Sequence, residues 1–211
     1  MPKMDQGERG VELAQRAIGM IESLGEVDPF DRAVLYNNLA SSHDSMGAYP
    51  KAIEAFETSI ELHRLHSDAH PDLATALGNL GLTYELVGEM DKAVENVALA
   101  VDMQHKLLGE THPQYVLMLY NLGSLQINAG HLESAAENLK AAMEAAEQAY
   151  PKNHLYTGRF NHRAAVLYEQ MERSGQSLAH AELARAIYLS RNDVPAGWLT
   201  EVEKIIAAHN R

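Results

Sequence analysis

The sequence contains no cysteine. Disulfides, thiolate metal sites and cysteine nucleophiles are therefore excluded. Positive charge is scarce, with 17 Lys and Arg against 29 Asp and Glu and a net charge of −12. A general nucleic-acid binder needs a basic footprint for the phosphates, so no nucleic-acid partner is expected. No apolar run approaches the roughly 20 residues of a membrane helix, and no membrane association is expected. The opening MPKMDQGERG lacks the apolar core of a signal peptide. The expected location is cytoplasmic. No Gly-x-Ser-x-Gly elbow and no Walker or dinucleotide glycine pattern occurs. No catalytic residue and no cofactor is expected, and the chain is read as a non-enzyme. What the chain does have is 211 residues with 46% hydrophobic content, enough for one well-buried domain.

It also has an internal echo. HPDLATALGNLGLTYELVGEMDKAVENV starts at His70, and HPQYVLMLYNLGSLQINAGHLESAAENL starts at His112. Asn79-Leu80-Gly81 returns 42 residues later as Asn121-Leu122-Gly123. The same register gives Asn38-Leu39-Ala40 upstream and Arg163-Ala164-Ala165 downstream. Turn glycines follow at Gly47, Gly88 and Gly130, and then at Ser174-Gly175 after a short insertion. A small residue and a large apolar one come next, as Ala52 and Phe56, Ala93 and Val97, Ala135 and Leu139, Ala179 and Leu183. A further small residue lies at Ser59, Ala100, Ala142 and Ala186. A fixed period of this length signals stacked repeats.

Within each repeat the spacing is helical. Leu73, Ala76, Leu77, Leu80, Tyr84 and Val87 return every three or four residues over 71–87. Ala93, Val94, Val97, Ala100, Val101, Leu107 and Leu108 show the same helical period over 91–108. His70-Pro71-Asp72 places proline and an acid in a first helical turn, where the missing N–H costs nothing and the dipole favours negative charge. Each repeat is thus a helix A, a glycine turn and a helix B, and stacking of such pairs buries a core that one pair cannot bury alone. The register predicts repeats at 28–69, 70–111, 112–153 and 154–194. Residues 1–27 match a helix B without its helix A, read either as a cap or as a sign that the chain is cut from, or docks onto, something larger. Residues 195–211 form a capping helix with Trp198, Val202, Ile205 and Ile206 on one face. The whole is expected to be one continuous solenoid domain. Among the 11 histidines, His63 and His66 could share a helix face, but His70 belongs to the repeat punctuation with His112 and His154, and no metal site is expected.

Leu80-Gly81-x-x-Tyr84 followed by Ala93-x-x-x-Val97 resembles the tetratricopeptide repeat. The signature Trp is Leu77 or Leu119 here, and the closing Pro is missing. The 42-residue period resembles the variant in kinesin light chains and many bacterial tetratricopeptide proteins. The resemblance implies an all-α, right-handed α-solenoid of antiparallel helix pairs. It implies a concave groove lined by helices A, with two positions of each helix A pointing inward. Those positions hold Asn38, Asn79, Asn121 and Arg163, and one turn earlier Val34, Thr75, Leu117 and Arg159. A primary amide offers donors and an acceptor, so an Asn ladder can pair with the backbone of an extended peptide. The same amides can instead bond between helices and stiffen the stack, and both readings stand at this stage. Some co-chaperone members of the family hold a peptide's C-terminal carboxylates in a clamp. Its five places read Thr75, Asn79, Asn121, Arg159 and Arg163 here, with the first basic residue missing and Glu169 near enough in sequence to neutralise an arginine. Tyr120, Leu82, Leu86 and Ile127 are expected to add apolar contacts. The function implied is an adaptor that binds a protein or peptide partner. A peptide-sensing regulatory module, a structural scaffold and a homo-oligomer formed through exposed solenoid ends are the alternatives.

Overall fold

The computed structural model describes residues 3–25, 27–151 and 153–209. The chain divides into two compact units, Met1–Leu107 and Leu108–Arg211. Unit 1 holds α1 (Lys3–Ser23), α2 (Pro29–Ser45), α3 (Tyr49–His66), α4 (Pro71–Leu86) and α5 (Met90–Leu108). Unit 2 holds α6 (Pro113–Asn128), α7 (Leu132–Ala149), α8 (Leu155–Gln170), α9 (Ser174–Leu189) and α10 (Ala196–His209). No strand occurs among the described residues. Each unit is a run of antiparallel helix pairs of the α-solenoid class, and among the described residues no helix is long and apolar enough to cross a membrane.

The helix starts explain the histidine punctuation. The Nδ1 atoms of His70, His112 and His154 accept from the backbone N–H groups of Asp72, Gln114 and Tyr156 at 3.2, 3.2 and 3.3 Å. Asp28 does the same for Phe30 at 2.9 Å, one period earlier. Each is an N-cap acceptor for donors that the first helical turn leaves without partners.

The turns between paired helices are equally regular. Gly47, Gly88 and Gly130 sit at φ 73°, 81° and 79°. The residue after each donates its N–H to the carbonyl five residues back, from Ala48 to His43, Glu89 to Tyr84 and His131 to Gln126. This is the left-handed helix stop that glycine adopts without steric cost. In the fourth pair the same position is Glu172, at φ 57°, and Arg173 donates to Tyr168. The turn is therefore not at Ser174-Gly175, which open α9, and no insertion precedes it. The correction moves the repeat-four landmarks. Ala179, Leu183 and Ala186 are exposed, while Ser177, Ala181 and Ala184 are buried. A side chain in the left-handed region carries a cost of about 1–2 kcal/mol. Glu172→Gly is accordingly expected to stabilise the fold by about 1 kcal/mol, read as a higher urea midpoint.

Close packing at the small residues follows the sequence. Gly81 lies against α5, where an added Cβ would sit 2.5 Å from Val97 Cγ2 and 2.9 Å from the Ala93 carbonyl oxygen. Ser59, on the small-residue position of α3, donates to the Ala33 carbonyl of α2 at 2.7 Å. In unit 2, Val202 of α10 is fully buried against Ala165, Ala181, Ala184 and Tyr188, with Trp198, Ile205 and Ile206 packed around them. The apolar face expected of the last helix is the face that closes this core. At the other end of the chain α1 packs on α2 and leaves Leu13, Met20 and Leu24 exposed.

Candidate functional site

The predicted groove residues divide between the units. Unit 1 carries Asn38, Thr75, Asn79, Leu82 and Leu86. Asn38 and Leu86 are exposed, and Thr75, Asn79 and Leu82 are half-buried. The Thr75 hydroxyl is used within its own helix, donating to the Pro71 carbonyl at 3.0 Å. Among the described residues the side-chain amides of Asn38, Asn79 and Asn121 make no hydrogen bond.

Unit 2 gathers Tyr120, Arg159 and Arg163 about a cleft of about 200 Å³ between α6, α8, α9 and α10, with His162, Trp198 and Glu201 on its walls. Asn121 is half-buried on α6 and is not part of this lining. Ile127 is 2% exposed and belongs to the core, so it offers no groove contact. It follows the buried stripe of α6, with Leu125 and Gln126 beside it. Tyr120 is also largely buried, its ring stacked on Phe160 at 4.7 Å between centroids.

The two arginines have different tasks. Arg163 reaches back to α6, where Nη2 donates to the Ser124 carbonyl at 2.8 Å and to Asn128 Oδ1. Arg159 places its guanidinium carbon 5.1 Å from the Tyr120 ring centre, 5.5 Å from that of Tyr156 and 5.2 Å from that of Trp198. Aromatic faces attract a cation without neutralising it. No carboxylate pairs with Arg159 among the described residues. Glu201 lies 3.5 Å from His162 Nε2 instead. Glu169 does not reach an arginine: its Oε2 accepts from the Ser177 hydroxyl at 2.9 Å and lies 3.6 Å from His209 Nε2. The sequence reading named Arg159 and Tyr120 but not Tyr156 and Trp198, the other two rings around the guanidinium. Tyr156 precedes Arg159 by three residues, a one-turn spacing that was legible, whereas Trp198 arrives from a helix assigned only to capping.

Burial shapes the titration of this region. Desolvation holds the His162 imidazole below its ordinary value of 6.5, opposed in part by the Glu201 carboxylate. Burial pushes the Tyr188 phenol well above its ordinary value.

A tetratricopeptide repeat family model matches residues 31–104 and 72–148. With the capped helix pairs and left-handed turns above, the match shows that the chain belongs to the tetratricopeptide repeat family. Among solved structures it is similar to BtubC (BKLC) from P. vanneervenii, at 18% identity and a TM-score of 0.79 over 98% of this chain and 81% of that one. A Podosopora anserina protein of the kinesin light chain type, with nearly identical TPR-like repeats, aligns at 20% identity and a TM-score of 0.77 over 90% of each chain. The apo form of RapI aligns at 13% identity and a TM-score of 0.76 over 99% of this chain and 58% of that one. At identities this low, the structural likeness shows the fold alone. Nothing among curated protein sequences matches. The family is one of protein–protein interaction modules, and that is the general class of this chain.

Proposed function

We propose that the chain is an adaptor that binds extended segments of partner proteins on the helices A of its units, and that in unit 2 it reads a carboxylate at Arg159. The observation that carries this reading is the guanidinium of Arg159, held by three aromatic rings and, among the described residues, left without a carboxylate of its own. In a chain of net charge −12, a cation kept unneutralised selects an anion against a repelling background. The amides of Asn79 and Asn121 support the same reading, since groups that make no hydrogen bond among the described residues are available to a peptide backbone. The clamp narrows relative to the family arrangement. Arg163 is engaged with α6, so the anion falls to Arg159 and its aromatic walls.

Screening the whole chain on a peptide array tests this. Acidic and free-carboxylate peptides are expected to be enriched. Arg159→Ala should weaken the best peptide about tenfold or more, since a charge-assisted hydrogen bond is worth about 1.5–3 kcal/mol. Added salt should weaken the unaltered protein more than the variant. Enrichment of basic peptides, or equal affinities for the two proteins, would remove the carboxylate reading. Assembly through the ends of the chain is a second reading, favoured by the exposed Leu13 and Met20 of α1 and Leu24 just after it.

A further inference from the structure

The largest cavity described in unit 2 lies away from the Arg159 cleft. It measures about 590 Å³ and is formed by α7, α8 and α9, with Met143, Phe160, Leu183 and Ile187 supplying apolar wall. That volume falls in the range of small-molecule sites, about 300–1,000 Å³, which combine apolar walls with a few placed polar groups.

The polar groups here break the repeat pattern. Leu77 and Leu119 occupy one core position of α4 and α6, and both are buried. The same position of α8, 42 residues after Leu119, is Asn161, which is only 5% exposed. A leucine core position filled by an amide is a local rule broken, and such breaks concentrate at functional sites. The Asn161 amide is satisfied. Its Nδ2 donates to the Thr157 carbonyl at 2.9 Å, which leaves Oδ1 facing His180 Nδ1 at 2.9 Å. Two acceptors cannot face each other, so His180 carries a proton on Nδ1. Burial holds this imidazole below its ordinary value of 6.5, so the ring is neutral near pH 7 and Nε2 keeps its lone pair.

The remaining hydrogen-bonding capacity of the wall is mainly for acceptance. The Tyr150 hydroxyl donates to the Pro113 carbonyl at 3.2 Å, and the Asn161 amide and His180 Nδ1–H are used as described. Among the described residues the Thr157 hydroxyl is the one lining group with a rotatable proton not yet placed. Glu147, an exposed carboxylate, lines this cavity and also a smaller one of about 190 Å³ that shares Met143 and His180 with it. It makes no ion pair among the described residues. Leu183, 54% exposed, is a large apolar wall group that the fold does not cover.

We propose that this cavity is a binding site for a small amine with an aromatic or branched apolar body, seated among Phe160, Leu183 and Ile187, its N–H donors shared between Glu147 and His180 Nε2. Lone pair and carboxylate both call for donors, and the apolar wall calls for a body that leaves water. A carboxylate ligand would meet Glu147 and is excluded by charge. This site is separate from Arg159 and takes the opposite charge.

Calorimetric titration of the whole chain with 2-phenylethylamine and with phenylacetate tests the proposal. The amine is expected to saturate, and the acid to bind at least tenfold more weakly. Glu147→Gln should weaken the amine about tenfold while leaving 2-phenylethanol nearly unchanged. Asn161→Leu restores the residue of the other repeats but removes the acceptor that fixes the His180 tautomer, and should weaken the amine at least tenfold. Glu147 is exposed, so its variant keeps the test open if the core variant misfolds. Equal binding of amine and acid, no saturation by the amine, or unchanged amine affinity in both variants would overturn it. A Phe-Lys peptide that binds where the free amine does not would overturn the small-molecule assignment.

Discussion

Gly81→Ala is expected to lower stability by about 1–2 kcal/mol, while Gly19→Ala is expected to raise it by up to about 1 kcal/mol. Both glycines lie inside helices, where alanine is intrinsically better by about 1 kcal/mol. The sign is decided by what the new methyl group meets. At Gly19 nothing lies within 4 Å. At Gly81 it meets Val97 Cγ2 at 2.5 Å and the Ala93 carbonyl oxygen at 2.9 Å. A side chain can rotate away, but a helical carbonyl moves only with its helix, and overpacking of this kind costs about 1–3 kcal/mol. Gly123 is the intermediate case, because its nearest neighbours are the Leu139 side-chain carbons at 2.9 and 3.0 Å, which can shift. Urea denaturation followed by circular dichroism should rank the three alanine variants Gly19, Gly123, Gly81 from most to least stable. Gly81→Ala at or above the stability of the unaltered protein would show that α4 and α5 are not in this contact.

Stability is expected to decline as pH falls from 7 toward 5, and to be flat between about 7 and 10. His63, His162 and His180 all lie below their ordinary value of 6.5 in the folded state, each chiefly through burial. The unfolded chain takes up these protons first. Below 6.5 it binds more protons than the folded chain, and protonation drives unfolding. On the alkaline side Tyr84 is pushed up to about 12 by burial and by its hydrogen bond to Glu57, so its contribution is lost above its ordinary value of 10. His63 is the sharpest case. It is 1% exposed, both ring nitrogens are buried without a hydrogen-bond partner, and Phe30 meets it edge-on at 5.4 Å. The charged groups about it are mixed: Asp72 favours its protonation, while His70 and His66 oppose it. His63→Leu should therefore flatten the decline between pH 7 and 5, measured as the melting temperature at each pH. An unchanged slope would place the proton uptake elsewhere.

Much of the fold was legible because the 42-residue period repeats its chemistry as well as its hydrophobicity. His-Pro at the helix starts, glycine at the turns and small residues at close contacts each mark one geometric task. The reading slipped where the task was kept and the residue was not. Glu172 performs the turn that glycine performs in the other pairs, and aligning on Ser174-Gly175 displaced the α9 landmarks of the fourth repeat by two residues. Counting 42 from Ala135 would have reached Ser177, which is buried. The candidate site was less legible. Arg159 and Arg163 look equivalent one turn apart, and only the surroundings separate one ringed by aromatic faces from one bonded to α6. Ile127 looked like a groove residue by spacing, but its burial depends on neighbours that a single helix pattern does not contain.

The histidine caps carry a spectroscopic consequence. For Nδ1 of His70, His112 or His154 to accept a backbone N–H, the proton of the neutral ring must reside on Nε2. His180 holds the opposite tautomer through Asn161. Nitrogen-15 shifts of these four imidazoles thus fall into two populations. One of them reports, repeat by repeat, whether a given helix is still closed at its first turn. Three native labels spaced 42 residues apart allow fraying of successive repeats to be followed without an introduced probe.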